Sequence, residues 1–151
     1  MKDLHFKRAL GFSLLFYIVS FILFALLFVV FGTSLDTKPN EIPVFQCIVY
    51  LLALIPVILV CAKWYFRKFQ PSTRRGLFLG IFTLVVSCVL DVILVASSTP
   101  EEGVVKMLGT LYADWKFYVT VIIVIGTATY AGFEFDRTYT FDEAGLHKKS
   151  K

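Results

Sequence analysis

Asp91 is the residue best placed to do chemistry in this chain, because it lies in Leu84-Val-Val-Ser-Cys-Val-Leu-Asp91-Val-Ile-Leu-Val-Ala96, a stretch otherwise almost wholly apolar. A carboxylate at the centre of a membrane-spanning helix costs roughly 2.5–3.5 kcal/mol on insertion scales. Such a residue needs a hydrogen-bonding partner, a water-filled surrounding or a task. Two roles compete for it. In one it is a structural acid, hydrogen-bonded across helices. In the other it binds a proton or cation and couples it to transport, as intramembrane acids often do.

The neighbours of Asp91 at helical spacing are small or polar. Gly76, Gly80, Thr83, Ser87, Asp91 and Ser98 follow at steps that place them on one face of a helix. The pair Gly76-x-x-x-Gly80 is a spacing that lets helices approach closely, so Gly76, Gly80, Thr83 and Ser87 are the expected helix-packing residues. Lys116, Thr120, Thr127, Ala131 and Glu134 form a comparable stripe farther along the chain.

The elements that must carry these residues are membrane spans. Of the 151 residues 58% are hydrophobic and the mean hydropathy is +0.77, against about 45–50% apolar residues in soluble domains. Four apolar runs, residues 9–32, 43–62, 76–98 and 113–133, are each long enough as helices to cross the roughly 30 Å hydrocarbon layer. The first follows Lys2, Lys7 and Arg8, yet its apolar stretch is too long for the ~7–15-residue core of a secretion signal and no small-x-small cleavage site follows. It is expected to be an uncleaved span. The fold class is therefore all-α, an integral membrane four-helix bundle, with one domain over residues 1–133 and a polar tail over 134–151.

Basic residues predict the orientation. Lys2, Lys7 and Arg8 precede the first span; Lys63, Arg67, Lys68, Arg74 and Arg75 lie between the second and third; Arg137, Lys148, Lys149 and Lys151 follow the fourth. Together these are 12 of the 15 Lys and Arg residues, and the positive-inside rule puts both termini and the middle loop in the cytoplasm. The net charge of +4 is thus a topology signal rather than a sign of a nucleic-acid partner. Trp64-Tyr65-Phe66 at one end, and Tyr112 with Trp115 at the other, suit the headgroup level.

The connections offer little more. Thr99-Pro-Glu-Glu102 reads as a helix start with Thr99 as its cap, predicting a short interfacial helix over residues 100–112. In the tail, residues 138–145 alternate like a strand, but a lone strand is not stable, and the tail is expected to be disordered.

Enzyme chemistry finds no support. Cys47, Cys61 and Cys88 are isolated thiols with no Cys-x-x-Cys pair. His5 and His147 lie in opposite terminal segments without ligand-spaced neighbours. No catalytic residue, metal site or cofactor is expected.

Counting depth along straight helices selects partners for Asp91. It lies seven residues, roughly 10 Å, inside the outer end of its span. Tyr50 and Thr120 fall at the same depth on the second and fourth spans, and Lys116 can reach down one turn. Asp91, Tyr50, Thr120 and Lys116 are therefore the candidate binding or proton site. Tyr17 falls in the inner half of the first span and is expected to be too distant. That span, with Phe12, Phe16, Phe24, Phe28 and Phe31 at helical spacing, is expected to face lipid or pack rather than contribute to a site. Pro56 removes one backbone hydrogen bond from the second span and is expected to bend it.

The chain shares its length, four spans and single intramembrane acid with small multidrug transporters, which carry their essential glutamate in the first span, where this chain has no acid. It also resembles small uncharacterised bacterial four-span inner-membrane proteins, at Leu90-Asp91, Pro100, Trp115 and Tyr118, over about residues 76–132. That resemblance implies a fold and a bacterial inner membrane as the location, but no activity. The expectation from sequence is a non-catalytic membrane protein acting through helix, protein or lipid contacts. The alternative is a small homodimeric transporter or proton-coupled carrier that uses Asp91.

Overall fold

The computed structural model describes residues 6–33, 41–67, 71–98 and 101–149. Within them the chain forms five helices: α1 (Phe6–Phe31), α2 (Val44–Phe66), α3 (Thr73–Ser98), α4 (Glu101–Ala113) and α5 (Trp115–Lys149). Four stretches, α1, α2, α3 and the Trp115–Phe135 part of α5, are long and apolar enough to cross a membrane. Val29, Val60 and Ile122 on their outer surface are 79%, 70% and 69% exposed. Apolar exposure on that scale suits lipid, since in water it would form patches that associate. This is an integral membrane four-helix bundle.

Local chemistry sets the helix ends. Gly32 takes a left-handed φ of 63°, and its N–H donates to the Val29 carbonyl while the Thr33 N–H donates to that of Phe28. These two bonds form a Schellman motif that closes α1 and needs a residue tolerant of positive φ. The Ser72 hydroxyl accepts the Arg75 N–H and caps α3. Asp114, the single residue between α4 and α5, accepts the Lys116 N–H at 3.0 Å and caps α5.

In cross-section the four spans form a square in which α1 touches α2 and α3, and α5 touches α2 and α3. Ring contacts fix α1 and α2 as antiparallel, pairing Phe12 with Tyr65, Phe24 with Tyr50 and Phe31 with Phe45. α1 and α3 run parallel, with Phe6 against Phe82 near one end and the Ser13 and Thr83 hydroxyls bonded at 3.1 Å. The end where α1 begins is termed here the terminal end, and the opposite one the α4 end.

The tightest crossing joins α3 and α5. A Cβ on Gly76 would collide with the Ala128 carbonyl oxygen, one on Gly80 would lie 3.1 Å from the Ile125 Cα, and one on Gly132 would lie 3.1 Å from the Gly76 Cα. Only hydrogen side chains permit this approach, which in lipid replaces the hydrophobic drive a soluble bundle would use. Beneath it, at the terminal end, Phe12, Ala62, Tyr65, Phe66, Leu79 and Ala131 form a closed core.

One expectation changes and another holds. The segment expected to be a disordered tail continues the helix of α5 to Lys149; residues 134–149 extend an already nucleated helix, so no new nucleus has to form. The short helix expected over 100–112 is α4, displaced by one residue; Thr99, its expected cap, lies outside the described residues. α2 runs as one helix through Pro56.

Candidate functional site

The bundle is packed at the terminal end and hollow towards the α4 end. A cavity of about 450 Å³ is lined from all five helices, and contains Asp91, Tyr17, Tyr50, Lys116 and Thr120. Phe16, Leu54 and Val124 are buried and line its floor. α4 lies against α3 and α5 and approaches neither α1 nor α2, so it covers only one side of the space.

Asp91 is half-buried and accepts a hydrogen bond from the Tyr17 hydroxyl at 2.9 Å. Tyr17, expected to be too distant, is thus a direct partner of Asp91. The depth count assumed that the helix ends are level, and that tyrosine acts at the height of its own Cα. Ser13 lies 18 residues before the end of α1 but is bonded to Thr83, 15 residues before the end of α3. α1 therefore projects beyond α3 by about 4–5 Å. The long Tyr17 side chain closes the remaining gap.

The three expected partners line the same cavity but are engaged otherwise. The Tyr50 ring meets Phe24 edge-on at 5.5 Å, and its hydroxyl neighbours Ser20. The Thr120 hydroxyl donates back to the Lys116 carbonyl. The Lys116 ammonium stays at the mouth, where it donates to the Ile42 carbonyl at 3.1 Å and pairs with Asp114 at 3.6 Å. Like many long cationic side chains it turns towards the polar end of its helix rather than into the apolar interior.

α1, expected to contribute nothing to a site, supplies much of it. Tyr17 and Ser20 are polar contributors, with Phe16, Phe21, Phe24 and Phe28 as walls. The aromatic spacing of α1 reads as apolar packing in sequence. Only the fold shows that the packed face looks into a hollow. From α3, Ser87 and Asp91 reach the cavity, whereas Gly76 and Gly80 meet α5 and Thr83 meets Ser13.

Sequence reasoning also missed Gln46. It is 2% exposed, lines the cavity, and its Oε1 accepts the Thr33 hydroxyl at 2.8 Å. The Schellman turn at Gly32 puts Thr33 in place for that bond. The Gln46 Nε2 group is buried with no hydrogen-bond partner among the described residues. A signal existed, since Gln46 is the sole amide side chain in the four spans.

The chemical content of the cavity is therefore a carboxylate held by a phenol at depth, aromatic walls and a mouth rich in donors. Aromatic faces attract organic cations, and a buried carboxylate binds a cation or a proton. The chain matches no protein-family model, no curated protein and no solved structure.

Proposed function

We propose that this protein is a small non-catalytic carrier that binds an organic cation with a largely apolar body, with Asp91 as the counter-charge. The observation that carries this reading is the cavity itself: a space of about 450 Å³ with Asp91 and Tyr17 in its wall and a packed floor. A purely structural acid would be expected in a dry contact between helices. Closure at one end and a hollow at the other suit one state of a carrier that exposes its site to each side in turn.

Orientation follows from charge. Arg8, Lys63, Arg74 and Arg75 lie at or next to the terminal end, which supports a cytoplasmic location for that end and an outward-facing cavity. A bacterial inner membrane suits this arrangement. A proton and an organic cation compete for one carboxylate, so binding of either displaces the other. That exchange supplies coupling without any further titratable group.

The test uses the full chain in lipid nanodiscs and a medium-chain alkyltrimethylammonium probe, whose charge does not titrate. Binding is expected to weaken as pH falls, because protonation removes the counter-charge. In Asp91→Asn it is expected to fall at least about tenfold and lose its pH dependence, with thermal unfolding still cooperative. Uptake of the same probe into proteoliposomes under a pH gradient is expected to vanish in the variant. Should Asp91→Asn alter stability alone, with binding and uptake intact, the carrier reading fails and the protein acts through helix or lipid contacts.

A further inference from the structure

The cavity has a second polar station, and its chemistry is opposite to that of Asp91. Two helix N-termini converge on the mouth, α2 beginning at Val44 and α5 at Trp115, each presenting the positive end of its dipole. Residues of both first turns, Gln46, Lys116 and Phe117, line the cavity. Asp114, the acid among the lining residues at the mouth, is occupied by the Lys116 backbone N–H and ammonium. In the first turn of α2 the Gln46 side chain is 2% exposed, and its Nε2, with two N–H donors, has no partner among the described residues.

A buried donor left unpaired is destabilising, typically by about 1–3 kcal/mol. Native structures rarely retain one without water or a ligand to satisfy it. The walls between the two stations are apolar, so each end of the cavity sets the chemistry of one end of its occupant.

Helix registers give their separation. Asp91 is eight residues beyond Thr83, which is level with Ser13, so it stands near residue 21 of α1. Phe31 meets Phe45 and Phe24 meets Tyr50, which sets Gln46 near residue 30 of α1. Nine helical residues span on the order of 13 Å.

The geometry points to an elongated zwitterionic ligand, its cation on Asp91 and its carboxylate on the Gln46 amide at the mouth. This assignment rests on the reading of Asp91 as a cation anchor and adds the identity of the far end and the length between them. A compact cation would fill only the depth of the cavity.

A ladder of ω-(trimethylammonio)alkanoates of increasing chain length, each paired with an alkyltrimethylammonium ion of the same length, tests it by calorimetry in nanodiscs. The expected result is an optimum at the length that bridges the two stations, where the zwitterion binds about tenfold or more tighter than its matched cation. Gln46→Met is expected to abolish that advantage without weakening the matched cation, whose retained binding also shows that the variant is folded. Gln46→Glu is expected to reverse the preference, favouring a bis(trimethylammonium) alkane of the optimal length. If the zwitterion gains nothing at any length while the cation binds, the second station is refuted and the carrier reading stands. If Gln46→Met weakens both probes equally, the amide shapes the fold and the assignment is wrong. If neither probe binds the native chain, the carrier reading falls and this inference with it.

Discussion

At the scale of the residue, the bond between Tyr17 and Asp91 is what the site depends on. Tyr17→Phe keeps the ring and removes the donor, so Asp91 loses the hydrogen bond that offsets its insertion. Inside bundles such bonds contribute about 0.6–2 kcal/mol. Tyr17→Phe is expected to lower stability by that amount in reversible unfolding in detergent micelles, and Tyr17→Phe with Asp91→Asn to cost less than the two single changes added. Strict additivity would show that the two side chains do not interact. Asp91 itself was legible in the sequence because a lone acid in an apolar run stands out. Tyr17 was not, because the residue that reaches a given depth is set by helix register and side-chain length. Neither is written in the spacing along one helix. Gln46 was legible in principle as an isolated amide in a span, but its significance depends on the empty space beside it.

At the scale of the element, the glycines of α3 and α5 divide by what surrounds them. Gly76 lies against the Ala128 backbone, whereas a Cβ on Gly126 would meet nothing within 4 Å. Gly76→Ala is expected to force α3 and α5 apart and to destabilise by about 1–3 kcal/mol. Gly126→Ala is expected to be neutral or to stabilise by up to about 1 kcal/mol through helix propensity. Thermal unfolding of the two variants in one detergent decides the matter, and equal losses would contradict the observed crossing. The face holding Gly76, Gly80, Thr83, Ser87 and Asp91 could be read from its spacing of three and four. How that face is shared could not. The glycines meet α5, Thr83 meets α1, and the last two open onto the cavity, because α1 and α5 lie on adjacent sides of α3.

At the scale of the whole molecule, the bundle joins a packed half to a hollow half, and its three thiols report on the division. Cys47 and Cys88 line the cavity, while Cys61 is 5% exposed within the packed core. Single-cysteine variants in intact cells are expected to label at position 47 or 88 with a membrane-impermeant thiol reagent, and not at position 61. Saturation with the optimal zwitterion is expected to protect both reactive positions. No labelling at any of the three positions would mean that the hollow half faces the other way or is closed, and labelling of Cys61 would contradict the packed half. The sequence by itself determined that four apolar helices cross a bilayer, that a short helix precedes the last of them, and that one acid lies at depth. Those properties follow from transfer free energy and helical periodicity, which act segment by segment. Only the tertiary structure decided which phenol meets that acid, that α1 walls a cavity, and that an unpaired amide stands at its mouth. These depend on register and on the volume left between helices, and each arises where several segments meet.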